Sequence, residues 1–385
     1  MHLAHRIQSV QESKTLRFRP LIQQLQSQGK NIIDFAMGEP DFDAADEIKA
    51  ATKKALDSNK TRYAATAGIP ELKQAICKKL KQHNNLDYAE NEIIVSNGSK
   101  QILYEVFQVL CNPGDEVIIP VPYWVSFSEQ VRLAVATPVF VQTDQHQLDI
   151  EKIKKAITKK TKAIIINTPN NPTGAVYKTE TLKEIAAFAA EKGITIIADD
   201  AYEMLIYDGL KHTSIASFSD KIKQHTITVQ SFSKPYSMMG FRLGYCAAQK
   251  ELISAMSKLQ DHLSSNACTF AQYGAVEAYT MSQRFIQQRI AELEKRRNIA
   301  YKEAIKLFDC IKPQGAFFLF PDVSKIMRKQ TAEDLSMFLL KEASVAVVPG
   351  EAFGAPKNVR ISYTRPVEEI KEGFERIGKA LTKFN

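Results

Sequence analysis

The sequence predicts an α/β fold, with a mostly parallel seven-stranded sheet in a large domain and a smaller α+β domain built from both termini. Three observations carry this. From Glu92 to Ala248, short β-branched runs alternate with amphipathic segments. After about residue 265 that rhythm gives way to a long charged helical stretch and a few short apolar runs. The first forty or so residues show no sheet rhythm and are expected to pack with the second unit. The expected division is an N-terminal segment 1–45, a large domain 46–280 and a small domain 281–385.

The seven strands are EIIV (92–95), EVIIP (116–120), TPVFV (137–141), KAIIIN (162–167), ITIIAD (194–199), TITVQ (226–230) and LGYCAA (243–248). Several are continuous apolar runs, as expected of strands buried on both faces. Helices are expected at 99–110, 178–192 and 250–262. Beyond them come a long helix over roughly 282–307, a strand in GAFFLFPDV (315–323), another helix, then SVAVVPG (344–350) and NVRISY (358–363).

A chain of 385 residues exceeds one small core, and 44% hydrophobic with 24% charged residues are values of a folded globular protein. The formal charge of +8 raises the question of a nucleic-acid partner. The densest clusters, CKKLKQ (77–82) and KIKKAITKKTK (152–162), interleave lysine with apolar residues as solvated helix faces do, so no nucleic acid is expected. Five cysteines, odd in number and without a CxxC pair, suggest neither disulfides nor zinc and suit a reducing cytoplasm. The N-terminus lacks an apolar signal region and no apolar run is long enough to span a bilayer, so no membrane partner is expected.

No two glycines are separated by a single residue, which excludes a GxGxxG dinucleotide fingerprint. Walker A, HExxH and GxSxG are absent too, and the seven histidines lack metal-ligand spacing.

In an open α/β sheet, ligands bind beyond the carboxyl ends of the strands. After EIIV comes Ser96-Asn97-Gly98-Ser99-Lys100, opening a helix whose free N–H groups suit an anion; alone, it reads as an ordinary cap by Asn97 or Ser99. After KAIIIN comes the rigid turn Thr168-Pro-Asn-Asn-Pro-Thr-Gly174. After ITIIA come Asp199, Asp200 and Tyr202. A carboxylate at the end of a buried strand needs a cation or a donor, although Asp200 could equally cap a helix. After TITVQ come Ser231, Ser233 and Lys234, with Arg242 to follow. An isolated loop lysine is ordinarily solvated. One ligand accounts for all four strand ends together: a phosphate, a protonatable ring nitrogen, a phenolic oxygen and an aldehyde that lysine captures describe pyridoxal 5'-phosphate.

The segments SFSKPYSMMGFRLGY, NTPNNPTGAVY, ADDAYE, PYWVSF and NVRISY resemble the signature segments of fold-type-I pyridoxal-phosphate aminotransferases, in particular the class I family that contains the bacterial aspartate aminotransferases. FAMGEPDF (35–42), RYAATAGIPELKQAI (62–76) and VVPGEAFG (347–354) extend the likeness over nearly the whole chain. The resemblance implies that Lys234 holds the cofactor covalently and moves the Cα proton. Asp199 then pairs with the ring nitrogen, Asn171 and Tyr202 bond the phenolic oxygen, and Trp124 stacks on the ring. Phosphate contacts fall to Ser231, Ser233, Arg242 and the backbone N–H groups of Ser99 and Lys100. Tyr63 matches a tyrosine that reaches the phosphate of the neighbouring subunit, implying a homodimer with shared sites. Arg360 matches the clamp on the substrate α-carboxylate, assisted by Gly38; Trp124 and Asn171 border the same substrate. The small domain is expected to close on it.

Two departures are visible. Asp199-Asp200-Ala201-Tyr202 stands where the family usually has Asp-Glu-x-Tyr, and Pro235 follows the lysine where Ala or Asn is common. Neither removes a catalytic group. The implied reaction is ping-pong transfer of an amino group from an L-amino acid to a 2-oxo acid, with aspartate and 2-oxoglutarate the expected pair. An aromatic, prephenate or methionine aminotransferase would show the same segments. A pyridoxal-phosphate lyase or decarboxylase, or a non-catalytic binding protein on the same fold, is the more distant alternative. A side-chain carboxylate needs a second cation, for which Lys14 and Arg17 are the candidates, against a plain surface role.

Overall fold

In the computed structural model, which describes residues 3–12 and 17–384, the strands in chain order are β1 (Ile33–Asp34), β2 (Ile93–Ser96), β3 (Glu116–Val121), β4 (Thr137–Gln142), β5 (Thr161–Asn167) and β6 (Thr195–Asp199), followed by β7 (Thr226–Ser231), β8 (Gly244–Ala247), β9 (Phe318–Leu319), β10 (Val345–Ala346), β11 (Val348–Pro349) and β12 (Val359–Ser362). Seven of them form one sheet in the order β2-β8-β7-β6-β5-β3-β4. Every pairing in it is parallel except those of β8, which runs against both β2 and β7.

Alternation along these strands divides the core. Ala163 and Ile165 of β5, Ile197 of β6, and Ile227 and Val229 of β7 share one cluster with Ile102, Val106 and Met256 from the helices Ser99–Leu110 and Lys250–Leu263. Ile164, Ile166, Ile196 and Ala198 point the other way, against Leu182, Ile185 and Ala189 of the helix Thr179–Lys192. Both faces are covered, which is why the strands read as unbroken apolar runs. Buried side chains of this kind contribute about 1.5–3 kcal/mol each.

A second core joins the long helix Arg284–Ala304, the helix Val367–Leu381 and the three-stranded sheet β11-β12-β9. The N-terminal stretch, which shows no sheet rhythm, nevertheless supplies β1, paired in parallel with β10. Phe18, Ile22 and Leu25 pack with Leu340 and Ala346, so segments near the two ends of the chain lie against each other. The run 315–323 forms a strand only at Phe318–Leu319, because its earlier residues bond elsewhere: Gly315 N–H donates to Gly174 O at 2.8 Å and Ala316 N–H to Leu205 O at 2.9 Å. A Cβ on Gly315 would lie 2.7 Å from the Pro169 ring, so only glycine permits that crossing.

The lysine cluster 77–82 is not wholly solvated. Lys79 is only 7% exposed, and its ammonium pairs with Glu203 and bonds Gln230 at 2.5 Å beneath the sheet. The five cysteines are free, and no group of His, Cys, Asp and Glu among the described residues could hold a metal. No helix among the described residues is long and apolar enough to cross a membrane.

Candidate active site

Strand parity gathers the site. Asn167, Asp199 and Ser231 end β5, β6 and β7, and Asn167 lies opposite Asp199 in the register. Two-residue alternation puts all three on the sheet face covered by the helix Ser99–Leu110, at its N-terminal end. Beyond these carboxyl ends lies a cavity of about 390 Å³.

Lys234 sits in the turn after β7, and its Nζ donates to Gly38 O at 2.7 Å. Burial holds its pKa down to about 8, with Arg360, Arg242 and Lys100 pushing the same way and Glu39 opposing them. An ammonium so placed releases its proton more readily than a solvated lysine, as a nucleophile or base requires.

Asp199 is buried, and its carboxylate accepts one hydrogen bond, from Ala201 N–H at 3.2 Å. Burial and then the charge of Asp200 raise its pKa to about 7. No ion pair reaches it among the described residues. Asp200 faces the other side of the strand, where His212 Nε2 lies 3.2 Å from its Oδ2, so it caps no helix. Asn167 fixes the neighbourhood by donating to Asp199 O at 3.0 Å and accepting from Asn171 N–H at 2.9 Å.

At the start of the helix Ser99–Leu110 the capping residue is Gly98, with no side-chain cap from Asn97 or Ser99. Its φ is +84°, and a Cβ there would lie 2.7 Å from Arg242 Nη2. A Cβ on Gly244 would lie 2.5 Å from Ser99 N. Two glycines thus let a guanidinium and free helix N–H groups converge beside Ser231 and Ser233, a donor set suited to a phosphate. The buried Asp199 carboxyl group, with no ion pair among the described residues, suits a protonated ring nitrogen, and Lys234 an aldehyde, so the residues present fit pyridoxal 5'-phosphate.

Arg360 on β12 reaches the same cavity. Its Nη1 donates to Asn171 Oδ1 at 3.1 Å and its Nη2 to Ala36 O at 3.0 Å, while its buried Nε has no partner. Burial lowers its pKa to about 10 against the pull of Tyr202 and Asp34. Burial also pushes the Tyr202 phenol up, with Arg360 and the Asn171 amide opposing it.

The cavity therefore brings together Gly38, Ser99, Lys100, Trp124, Asn171 and Asp199, and with them Tyr202, Ser231, Ser233, Lys234, Arg242 and Arg360. Tyr63 does not line it: its ring is 88% exposed, although its loop is pinned by Thr269 Oγ1 donating to Arg62 O and by Ala64 N–H donating to Asn266. Lys14 lies outside the described residues. Arg17 points away to a surface pair with Glu333 and is 64% exposed. Among the lining groups that sequence reasoning missed, three bear on the chemistry. Asn167 was signalled only by an amide closing an apolar strand. The side chain of Lys100 lies 5.1 Å over the Trp124 ring. Arg19 stands 3.8 Å from Asp34 Oδ2.

Residues 30–377 match the model of the family described as aminotransferase class I and II. The chain is 46% identical to a probable aspartate/prephenate aminotransferase of Aquifex aeolicus, over 99% of each chain. It is 44% identical to an aspartate aminotransferase of Bacillus sp., over 98% of each. A crystal structure of the aspartate aminotransferase from Rhizobium meliloti superposes with a TM-score of 0.96 at 35% identity, covering 100% of both chains.

Proposed function

The chain belongs to the class I and II aminotransferases, and from that membership we propose that it moves the amino group of L-aspartate to 2-oxoglutarate, yielding oxaloacetate and L-glutamate. It is a pyridoxal 5'-phosphate enzyme that transfers amino groups between amino acids and 2-oxo acids. The observation carrying the proposal is that one cavity joins Lys234, the buried Asp199 and Arg360 to Lys100, a further cation without an ion pair among the described residues.

Bound cofactor supplies an aldehyde to carry the amino group and a ring that accepts electron density when Cα loses its proton. Lys234 would hold the aldehyde at rest and, once free, its amine is placed to take the Cα proton. With a pKa of about 8, roughly a tenth of a free amine is neutral at pH 7, against about 0.03% for an ordinary lysine. Asp199 would hold the ring nitrogen protonated. Asn171 and Tyr202 would bond the phenolic oxygen, while Ser231, Ser233, Arg242 and the start of the helix Ser99–Leu110 would hold the phosphate. Trp124 would cover the ring.

Arg360 and the Gly38 backbone take the α-carboxylate, and the unpartnered Nε adds a donor for it. The side-chain carboxylate of aspartate then falls to Lys100. Arg19 is the weaker candidate because Asp34 already offsets its charge. Prephenate also carries a second carboxylate, and the name of the Aquifex relative favours it as a second acceptor.

The exposed Tyr63 ring, on a pinned loop, supports a homodimer in which it reaches the partner's phosphate. Free, scattered cysteines support the reducing cytoplasm as its compartment. The test is a half-reaction screen of the purified holoenzyme against single amino acids, followed by the cofactor's absorbance. Rapid conversion by aspartate and glutamate supports the proposal. Conversion by phenylalanine or methionine but not by dicarboxylic amino acids refutes the assigned specificity, and release of carbon dioxide, ammonia or a thiol refutes transamination.

A further inference from the structure

The backbone of residues 36–39 roofs the cavity, and what holds its far end is not a cavity residue. Upstream it is fixed by the sheet: Phe35 N–H donates to Ala346 O and Ser362 N–H to Phe35 O, both at 2.9 Å. Downstream the chain leaves through Asp41 and Phe42. There the side chain of Arg296, from the long helix Arg284–Ala304, is buried. Its Nη1 donates to Asp41 Oδ1 at 2.8 Å and also to Thr364 O, its Nε donates to Glu292 Oε1 at 2.9 Å, and its guanidinium lies 5.0 Å over the Phe42 ring.

Asp41 follows Gly38 by three residues, and Thr364 follows Arg360 by four. We propose that Arg296 is a positioning residue for substrate binding: one guanidinium ties the exit of the Gly38 segment to the exit of the Arg360 strand, fixing the spacing between the two groups that take the α-carboxylate. This rests on the assignment of Gly38 and Arg360 to that carboxylate. The geometry has a specific consequence. Arg296 touches neither the phosphate cradle nor Asp199, so it acts on substrate and leaves the cofactor alone. Because every amino acid and oxo acid carries the same α-carboxylate, it acts on both halves of the reaction equally. A guanidinium is needed because a planar fork reaches several acceptors at once, whereas an ammonium on a flexible stem does not hold them in a fixed relation.

The experiment compares Arg296→Lys, Arg296→Met and Asp41→Asn with the parent holoenzyme. Asp41→Asn keeps the shape, lies nearer the surface and guards against loss of folding in the arginine variants. Misplacement of binding groups by about an ångström costs up to about a hundredfold. The expected result is a rise of about ten- to a hundredfold in KM for both the amino acid and the oxo acid, and in the Kd of a non-reacting dicarboxylate measured by calorimetry. The pyridoxal-phosphate Kd and the saturated kcat are expected to stay within about threefold, with Lys at 296 recovering part of the loss seen with Met. Arg360→Gln is the control. If Arg360→Gln leaves KM unchanged, the carboxylate assignment itself fails. If Arg360→Gln raises KM but Asp41→Asn and the Arg296 variants do not, or if cofactor affinity falls in step with substrate affinity, the positioning role is overturned.

Discussion

Replacing Asp199 by Asn should abolish turnover and yet stabilise the cofactor-free protein, and the size of that gain follows from burial. The carboxyl group's pKa is raised from 3.8 to about 7, first by loss of water and then by the negative charge of Asp200. Below about pH 4 the group is neutral in both folded and unfolded chains and costs nothing. As pH rises from there to 7 the unfolded chain ionises and the folded one resists, so stability falls; above 7 the full penalty stands. A shift of roughly three pKa units corresponds to about 4 kcal/mol, an upper bound because the cavity admits some water. Asn keeps an oxygen for Ala201 N–H and carries no charge, so the variant should escape most of this. The assay is urea unfolding of the apoproteins at pH 5 and pH 8, at one protein concentration. The variant's advantage over the parent should be about 1–1.5 kcal/mol at pH 5 and grow to about 2–4 kcal/mol at pH 8. Added pyridoxal phosphate should reverse the order, because its protonated nitrogen gives the parent's carboxylate a partner. An advantage that does not grow with pH would refute the claim that Asp199 is a buried charge awaiting a cation.

Two other substitutions test separate parts of the cavity. Lys100→Met should raise KM for aspartate and 2-oxoglutarate by about 10–150-fold, the worth of a charged hydrogen bond of about 1.5–3 kcal/mol, while KM for alanine stays level; steady-state kinetics with both donors decides it. Gly98→Ala places a Cβ 2.7 Å from Arg242 Nη2 in a backbone of φ +84°, so pyridoxal-phosphate affinity, measured by fluorescence titration of the apoprotein, should fall at least tenfold with little change in the KM for aspartate once cofactor saturates.

What the sequence could reveal depended on how local the physics was. Several strands of the large sheet were legible because burial on both faces favours unbroken apolar runs, whereas the edge strand Thr137–Gln142, mostly unburied, showed only its β-branched and aromatic residues. The expected strand at 315–323 shrank to Phe318–Leu319 because Gly315 and Ala316 spend their N–H groups on Gly174 and Leu205, more than a hundred residues away. Lys79 was misread with its neighbours as solvated for the same reason: its partner Glu203 comes from another element, which helical spacing does not show. The residues ending strands or following them reach the cavity because a parallel sheet delivers all such ends to one edge. The side chain of Lys100 was hidden behind the anion-binding role of its backbone, since a residue just inside a helix start has both an N–H and a side chain to offer the same space. Arg17 precedes the helix Arg19–Ser27 and pairs with Glu333 at the surface, whereas Arg19, the first residue of that helix, lines the cavity.

The cavity concentrates positive charge that Glu39 and Asp34 offset only in part, at a cost in stability that anionic ligands would relieve. Lys100, Lys234, Arg242 and Arg360 share it, and the last two together with Lys100 each depress the Lys234 pKa. Burial alone would act on Lys234 regardless of what is bound; the charges act in a way that depends on occupancy. A phosphate on Arg242, an α-carboxylate on Arg360 and a side-chain carboxylate on Lys100 would each offset one of the cations that make the amine less basic. The Lys234 amine is therefore most readily neutral, and able to take up the aldehyde, when the site is free of anions. On the proposed assignment it would become a stronger base when a dicarboxylic substrate is seated, which is when the Cα proton must be moved. A monocarboxylic amino acid would leave Lys100 uncompensated and raise that basicity less. The three anionic groups of cofactor and substrate would thus also set the strength of the base, coupling specificity to proton transfer through charge.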